Sequence, residues 1–149
     1  MSIPLTIKGQ GEIPGDEARK RLRKSIAGLR VLLAEDVEMV RDLITVVLSR
    51  EMVNVTAVQD GAKAVAAAAS QAFDVILLDV QMPVMGGLEA TKRIRESGEA
   101  GATIPILALT ANVQRRDIDR CHAAGMDGHV SKPFTPEALI NAIKAVLPD

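Results

Sequence analysis

The chain has 149 residues, 48% of them hydrophobic, and a formal net charge of −1, the profile of one globular domain with a substantial core. It has no Trp or Tyr and only Phe73 and Phe134 as aromatics, so base-stacking platforms for single-stranded nucleic acid are excluded. Its apolar runs fall far short of the ~20 residues of a membrane-crossing helix, no leader-like segment opens it, and Cys121 is its only cysteine; these features predict a cytoplasmic protein.

Charge is unevenly distributed. Residues 1–28 carry six Lys/Arg against three Asp/Glu, whereas residues 29–149 carry twelve against sixteen. The mildly acidic remainder is poorly suited to gripping phosphate backbones, so direct nucleic-acid binding is not expected. Residues 1–17, with prolines at 4 and 14 and no sustained periodicity, read as an extended tail or linker. Five of the six residues Arg19–Lys24 are cationic, in a stretch able to form a short helix from Asp16. They read as a solvated linker, with an electrostatic contact to a partner or membrane surface as the other reading. Residues 1–28 are thus taken as tail and 29–149 as the domain.

A regular alternation follows. Strand 1, Arg30–Ala34, ends on the acids Glu35 and Asp36, and a helix reaching about Arg50 carries Val40, Leu43, Ile44, Val47 and Leu48 as an apolar stripe. Strand 2, Val53–Val58, alternates as an edge strand does, and Asp60 caps an alanine-rich second helix reaching about Gln71. Strand 3, Val75–Leu78, is continuously apolar, as expected of a strand covered on both faces, and it ends on Asp79. Pro83 and the pair Gly86–Gly87 then break the chain before a third helix, Leu88–Ser97, packed through Leu88, Thr91 and Ile94. Gly98–Thr103 reads as a loop. Strand 4, Ile104–Leu109, ends on Thr110, and a fourth helix runs from about Asn112 to Ala124, with Gly125 as its terminator. Strand 5, Gly128–Ser131, ends on Lys132–Pro133. Thr135–Pro136–Glu137 then open a fifth helix that carries Leu139, Ile143 and Val146 on one face.

Five strands alternating with helices predict an α/β, doubly wound parallel sheet. Ligands of such sheets gather at the carboxyl edge. With strand 1 beside strand 3, Glu35, Asp36, Asp79, Thr110 and Lys132 all converge there. Three close carboxylates repel and call for a cation, and an all-oxygen donor set selects a hard one: Mg2+, with Mn2+ or Ca2+ as the alternatives. Metal, Lys ammonium and Thr hydroxyl together suit a phosphoryl group, with Asp79 as candidate nucleophile. Cys121, His122 and His129 are too few, and too badly spaced, for a zinc site.

The blocks LLAED, LLDVQMPVMGG, LALTAN and GMDGHVSKPF occur in the order and at the separations of the receiver domain of two-component response regulators. From Leu29 to Leu147 the chain resembles that family, most of all the receiver modules of hybrid histidine kinases. The resemblance implies a flavodoxin-like (βα)5 fold with strand order 2-1-3-4-5 and a role in phosphorelay signal transduction. It implies Asp79 as phosphoacceptor, Glu35, Asp36 and the backbone carbonyl of Gln81 with Asp79 on Mg2+, and Thr110 and Lys132 on the phosphoryl group. Gln81 and Asn112 occupy positions that tune the phosphoryl lifetime.

A histidine kinase or histidine phosphotransfer protein is the implied partner, membrane contact coming only through a parent kinase. Residues 1–28 would then be the linker from a kinase core; a stand-alone regulator is the alternative. His129 stands where many receivers carry a switching aromatic, which leaves two readings, an altered or pH-dependent switch and a strand residue without a signalling role. A hydrolytic phosphatase would need a second acid just after Asp79, and Val80, Gln81 and Met82 supply none. The intact acid, Thr and Lys set argues against a pseudo-receiver that only binds partners.

Overall fold

A computed structural model describes residues 25–148. Five parallel strands form one sheet in the order β2-β1-β3-β4-β5: β1 (Arg30–Ala34), β2 (Asn54–Val58), β3 (Val75–Asp79), β4 (Ile106–Thr110) and β5 (Gly128–Ser131). The connections are helical: α1 (Glu38–Arg50), α2 (Gly61–Ser70), α3 (Gly87–Arg95), α4 (Glu99–Thr103), α5 (Arg115–Ala124) and, after β5, α6 (Pro136–Val146). The predicted doubly wound sheet and its strand order are therefore observed.

Because successive strand side chains alternate between faces, each strand feeds two cores. Val31, Leu33, Val75, Leu77 and Leu109 pack with Ile44, Val47 and Leu48 of α1 and Leu139 and Ile143 of α6. Leu32, Ala34, Ile76, Leu78 and Ala108 pack on the other side with Ala64 of α2, Ala90 and Ile94 of α3 and Cys121 of α5. Every residue of β3 and β4 is buried, which explains their unbroken apolar runs, while edge strand β2 has none buried. Full burial of each Leu or Ile contributes about 1.5–3 kcal/mol, so these central strands anchor the carboxyl edge on which the site is built. Packing also reaches upstream of Leu29: Ile26 is only 2% exposed and joins the α1/α6 core. The predicted basic stretch Arg19–Lys24 lies outside the described residues.

The caps explain several element ends. Asp60 accepts a hydrogen bond from Lys63 N and Thr135 from Ala138 N, and Gly125 ends α5 in the left-handed region at φ 110°.

Four expectations need correction. The segment after Gly98 is a one-turn helix, α4, and not a loop: Ala102 N and Ile104 N donate to the carbonyls of Gly98 and Ala100. The Arg95 side chain satisfies its final carbonyls, those of Gly101 and Ile104. β4 accordingly begins at Ile106, since Ile104 caps α4 and Pro105 has no N–H to give the ladder. α5 begins at Arg115 and not Asn112, because Asn112 N is held by the Thr110 hydroxyl in a tight turn. Leu43 faces solvent at 56% exposure, so the buried stripe of α1 is narrower than its apolar sequence.

Candidate functional site

Parallel pairing in register brings the ends of β1, β3 and β4 to one edge, and the side chains just beyond them meet. One carboxylate oxygen from each of Glu35, Asp36 and Asp79 lies within 4.8 Å of the other two. Lys132, just past β5, reaches in from the neighbouring side: its Nζ is 2.7 Å from Glu35 Oε1 and 3.2 Å from Asp79 Oδ2. The Lys132–Pro133 peptide bond is cis. Glu35 is fully buried and Asp79 is 6% exposed, while Asp36 opens to solvent.

Backbone and side-chain donors hold this arrangement. Val37 N donates to Glu35 Oε2 at 3.1 Å, Gln81 N to Asp79 Oδ1 at 3.3 Å, and the Arg41 guanidinium to the Glu35 carbonyl at 2.8 Å. The Arg41 contact was not foreseen in the sequence, where Arg41 reads only as a polar position of a helix. Gly87 supports the site from behind: a Cβ there would collide with the carbonyl oxygen of Asp79, so only glycine lets α3 start so close to the end of β3. The Gly86–Gly87 pair carried that signal.

Electrostatics set the charge state of the cluster. Burial, then the charge of Glu35, pushes the Asp79 carboxyl up to about 7, although the Lys132 charge and hydrogen bond and the Gln81 N–H pull the other way. For Lys132 the order reverses: burial lowers its pKa, but the Glu35 hydrogen bond and the charges of Asp79 and Glu35 outweigh it, and the net shift is upward. At an effective dielectric of about 20, unit charges this close repel by on the order of 3 kcal/mol per pair. The Lys132 ammonium pairs with two of the three acids, so a divalent cation with oxygen ligands fits the residual charge and the donor set.

Thr110 is buried at the end of β4, where its hydroxyl accepts from Asn112 N at 2.9 Å and donates to Asn112 O at 3.1 Å. With Val80, Gln81 and Asn112 it lines a small cavity of about 70 Å3. His129 pairs with Ala108 further down the sheet and is half-buried, lining a groove with Phe134, Thr135 and Ala138 away from the acids.

Comparison with known proteins agrees with this architecture. The family model for the response regulator receiver domain matches residues 31–144. The hybrid signal transduction histidine kinase I of Dictyostelium discoideum is 38% identical over 76% of this chain, a region that is 7% of that protein. The sensor histidine kinase AruS of Pseudomonas aeruginosa is 37% identical over 82% of this chain and 12% of its own length, so the chain spans only a small part of these relatives. Among solved structures, the receiver domain of the P. aeruginosa sensor histidine kinase PA1611, which holds a magnesium ion in its active-site cleft, is 38% identical with a TM-score of 0.75, covering 80% of this chain and 98% of that one. Vibrio cholerae chemotaxis protein CheY4 is 35% identical with a TM-score of 0.78, covering 81% of this chain and all of that one. On this sheet order, this acidic edge and these matches, the chain belongs to the response regulator receiver domain family.

Proposed function

We propose that Asp79 is the phosphoacceptor of a phosphorelay. Its Oδ attacks the phosphorus of a phosphohistidine on a histidine kinase or phosphotransfer protein: an O–P bond forms, the N–P bond breaks, and the released imidazole takes a proton from solvent. The observation that carries this reading is a buried carboxylate flanked by two further acids and one ammonium, 3.2 Å away, at the edge of a receiver sheet.

Glu35, Asp36, Asp79 and the backbone carbonyl of Gln81 would hold Mg2+, with Mn2+ as a substitute of the same hard character. When bound, the ion neutralises the acids and the phosphoryl oxygens. Lys132 balances the same charge from the side of β5. Thr110 leaves its hydrogen bonds with Asn112 and donates to the phosphoryl group, and this movement biases the face formed by α5, β5 and α6 between two arrangements. His129, on β5, lies within that face. Gln81 and Asn112, beside the same cavity, govern how water reaches the acyl phosphate.

The chain serves as the cytoplasmic receiver module of a hybrid histidine kinase, the curated proteins quoted being kinases many times its length. Residues 1–28 act as the linker, with its last residues docked through Ile26. It catalyses only its own phosphorylation and dephosphorylation. The test is incubation with Mg2+ and phosphoramidate, followed by intact-mass analysis. A single phosphoryl addition, absent in Asp79→Asn and abolished by chelator, is expected; no addition would leave a phosphorylation-independent binding module, and rapid multiple turnover a phosphatase.

A further inference from the structure

Asp36 is the least supported of the three acids at the carboxyl edge. Glu35 is held at both oxygens, by Lys132 Nζ at 2.7 Å and by Val37 N at 3.1 Å. Asp79 is held likewise, by Gln81 N at 3.3 Å and Lys132 Nζ at 3.2 Å. The Asp36 carboxylate opens to solvent and takes no hydrogen bond or ion pair among the described residues. One of its oxygens nevertheless lies within 4.8 Å of an oxygen of each of the other two acids. Whatever aims this side chain must act through its backbone.

Arg41 is placed to do so. From the first turn of α1 its Nη1 reaches back to the carbonyl of Glu35 at 2.8 Å and, at the long end of hydrogen bonding, to the carbonyl of Asp36 at 3.5 Å. A peptide unit is planar, so holding a carbonyl holds its plane, and these are the two planes that flank the Asp36 Cα. One guanidinium thus fixes the backbone on both sides of Asp36 and with it the direction of the Asp36 Cβ. The backbone of Arg41 is itself secured: its N–H donates to Val37 O at 2.9 Å, and its carbonyl accepts from the Thr45 hydroxyl at 2.8 Å. The Asp79 carboxyl responds to burial, to Glu35 and to Lys132, and the Arg41 charge is not among the influences on it.

The geometry points to Arg41 as a positioning residue for divalent-cation binding, one that holds the Glu35–Val37 backbone so that the Asp36 carboxylate faces Glu35 and Asp79. This inference rests on those acids holding Mg2+, as proposed above. Arginine suits the task because its planar fork is pre-organised and loses little freedom when it binds the two carbonyls. Without it, the Asp36 side chain is ordered only by the ion, and that ordering cost appears as weaker binding.

The experiment titrates the full chain with Mn2+, whose free fraction is read by electron paramagnetic resonance, and then displaces it with Mg2+. The chains are wild type, Arg41→Met and Arg41→Lys, with circular dichroism showing which are folded; the milder lysine variant carries the test if methionine prevents folding. Arg41→Met should weaken binding of both ions roughly ten-fold, the lower end of what removing a group that orients a metal ligand costs. Arg41→Lys keeps the charge on a shorter side chain and should still lose about three-fold or more. Labelling by phosphoramidate supplies a second readout: the Mg2+ concentration giving half the maximal rate should rise by the same factor as the dissociation constant, while the rate at saturating Mg2+ stays within about two-fold of wild type. A residue that served only stability would leave ion affinity where it was. Wild-type affinity in either variant, or a labelling rate that saturating Mg2+ does not restore, would overturn the assignment of Arg41. Absence of ion binding by the wild type would instead sink the metal reading on which it depends.

Discussion

Asp79→Asn should stabilise the metal-free domain at alkaline pH, and the size of the effect follows from its surroundings. The Asp79 carboxyl, ordinarily near 3.8, is raised to about 7 by burial and by Glu35. The folded chain therefore binds a proton more tightly than the unfolded chain. That contribution to stability is complete below about pH 4 and is lost as pH rises through about 7. At about 1.4 kcal/mol per pKa unit, the cost of keeping Asp79 ionised at pH 8 is on the order of 4 kcal/mol. Asparagine has nearly the same shape and no charge, and Lys132 keeps its 2.7 Å partner Glu35. Allowing for the lost Lys132 contact, we expect a gain of roughly 2–3 kcal/mol at pH 8 and little change at pH 4.5. Urea denaturation at both pH values without metal reads this directly, and Mg2+ should stabilise the wild type much more than the variant. If Asp79→Asn leaves the pH slope unaltered, or weakens the fold at pH 8, the account of strained, desolvated acids is wrong.

Three further outcomes test the scaffold. Arg95 donates to the carbonyls of Gly101, Ile104 and Gly125 and to Asp127, so Arg95→Ala should cost about 3 kcal/mol in urea denaturation and loosen amide protection across α4. Gly87→Ala forces a Cβ into the Asp79 carbonyl, and should cost on the order of 2 kcal/mol while slowing phosphoramidate labelling at least several-fold. Asp74 pairs with Arg30 and takes a hydrogen bond from its backbone N–H, contacts that hold its carboxyl below the usual range. Its stabilising effect is present above about pH 4 and is lost as pH falls through the lowered value, so Asp74→Asn should reduce the urea midpoint at pH 7 and progressively less as the solution is acidified.

The parts of this molecule that could be read in the chain are those whose physics is local or periodic. The runs Val75–Leu78 and Ile104–Leu109 announced buried parallel strands, the second starting two residues later in the structure, and an acid, a threonine and a lysine at successive strand ends announced a shared edge. What stayed hidden depends on tertiary contacts between side chains and elements. α4 has a glycine in its middle and only one turn, so its propensity is poor; it is held by Arg95 from a preceding helix, which no local pattern reveals. Leu43 satisfies the helical period as well as Ile44 does, and only the position of α6 and the sheet decides which of them is covered. The same holds within the site. Sequence reasoning placed Lys132 at the acidic edge but did not pair it with Glu35, ninety-seven residues away.

That ion pair leads to a prediction in which the two charged partners must be considered together. Lys132→Met removes the ammonium beside a fully buried Glu35 and a nearly buried Asp79. Breaking a buried pair by deleting one partner commonly costs about 3–5 kcal/mol, because the remaining charge keeps its desolvation penalty without its compensation. Asp79 sharpens the loss at pH 8, where it is ionised, and relieves it at pH 5, where it takes up a proton. Combining Lys132→Met with Asp79→Asn should therefore recover part of the loss at pH 8, a coupling of about 1–2 kcal/mol in a double-mutant cycle. The cycle should close to near zero coupling at pH 5. Additive effects at pH 8 would mean that Lys132 interacts with Glu35 alone, and that the 3.2 Å approach to Asp79 carries no energy.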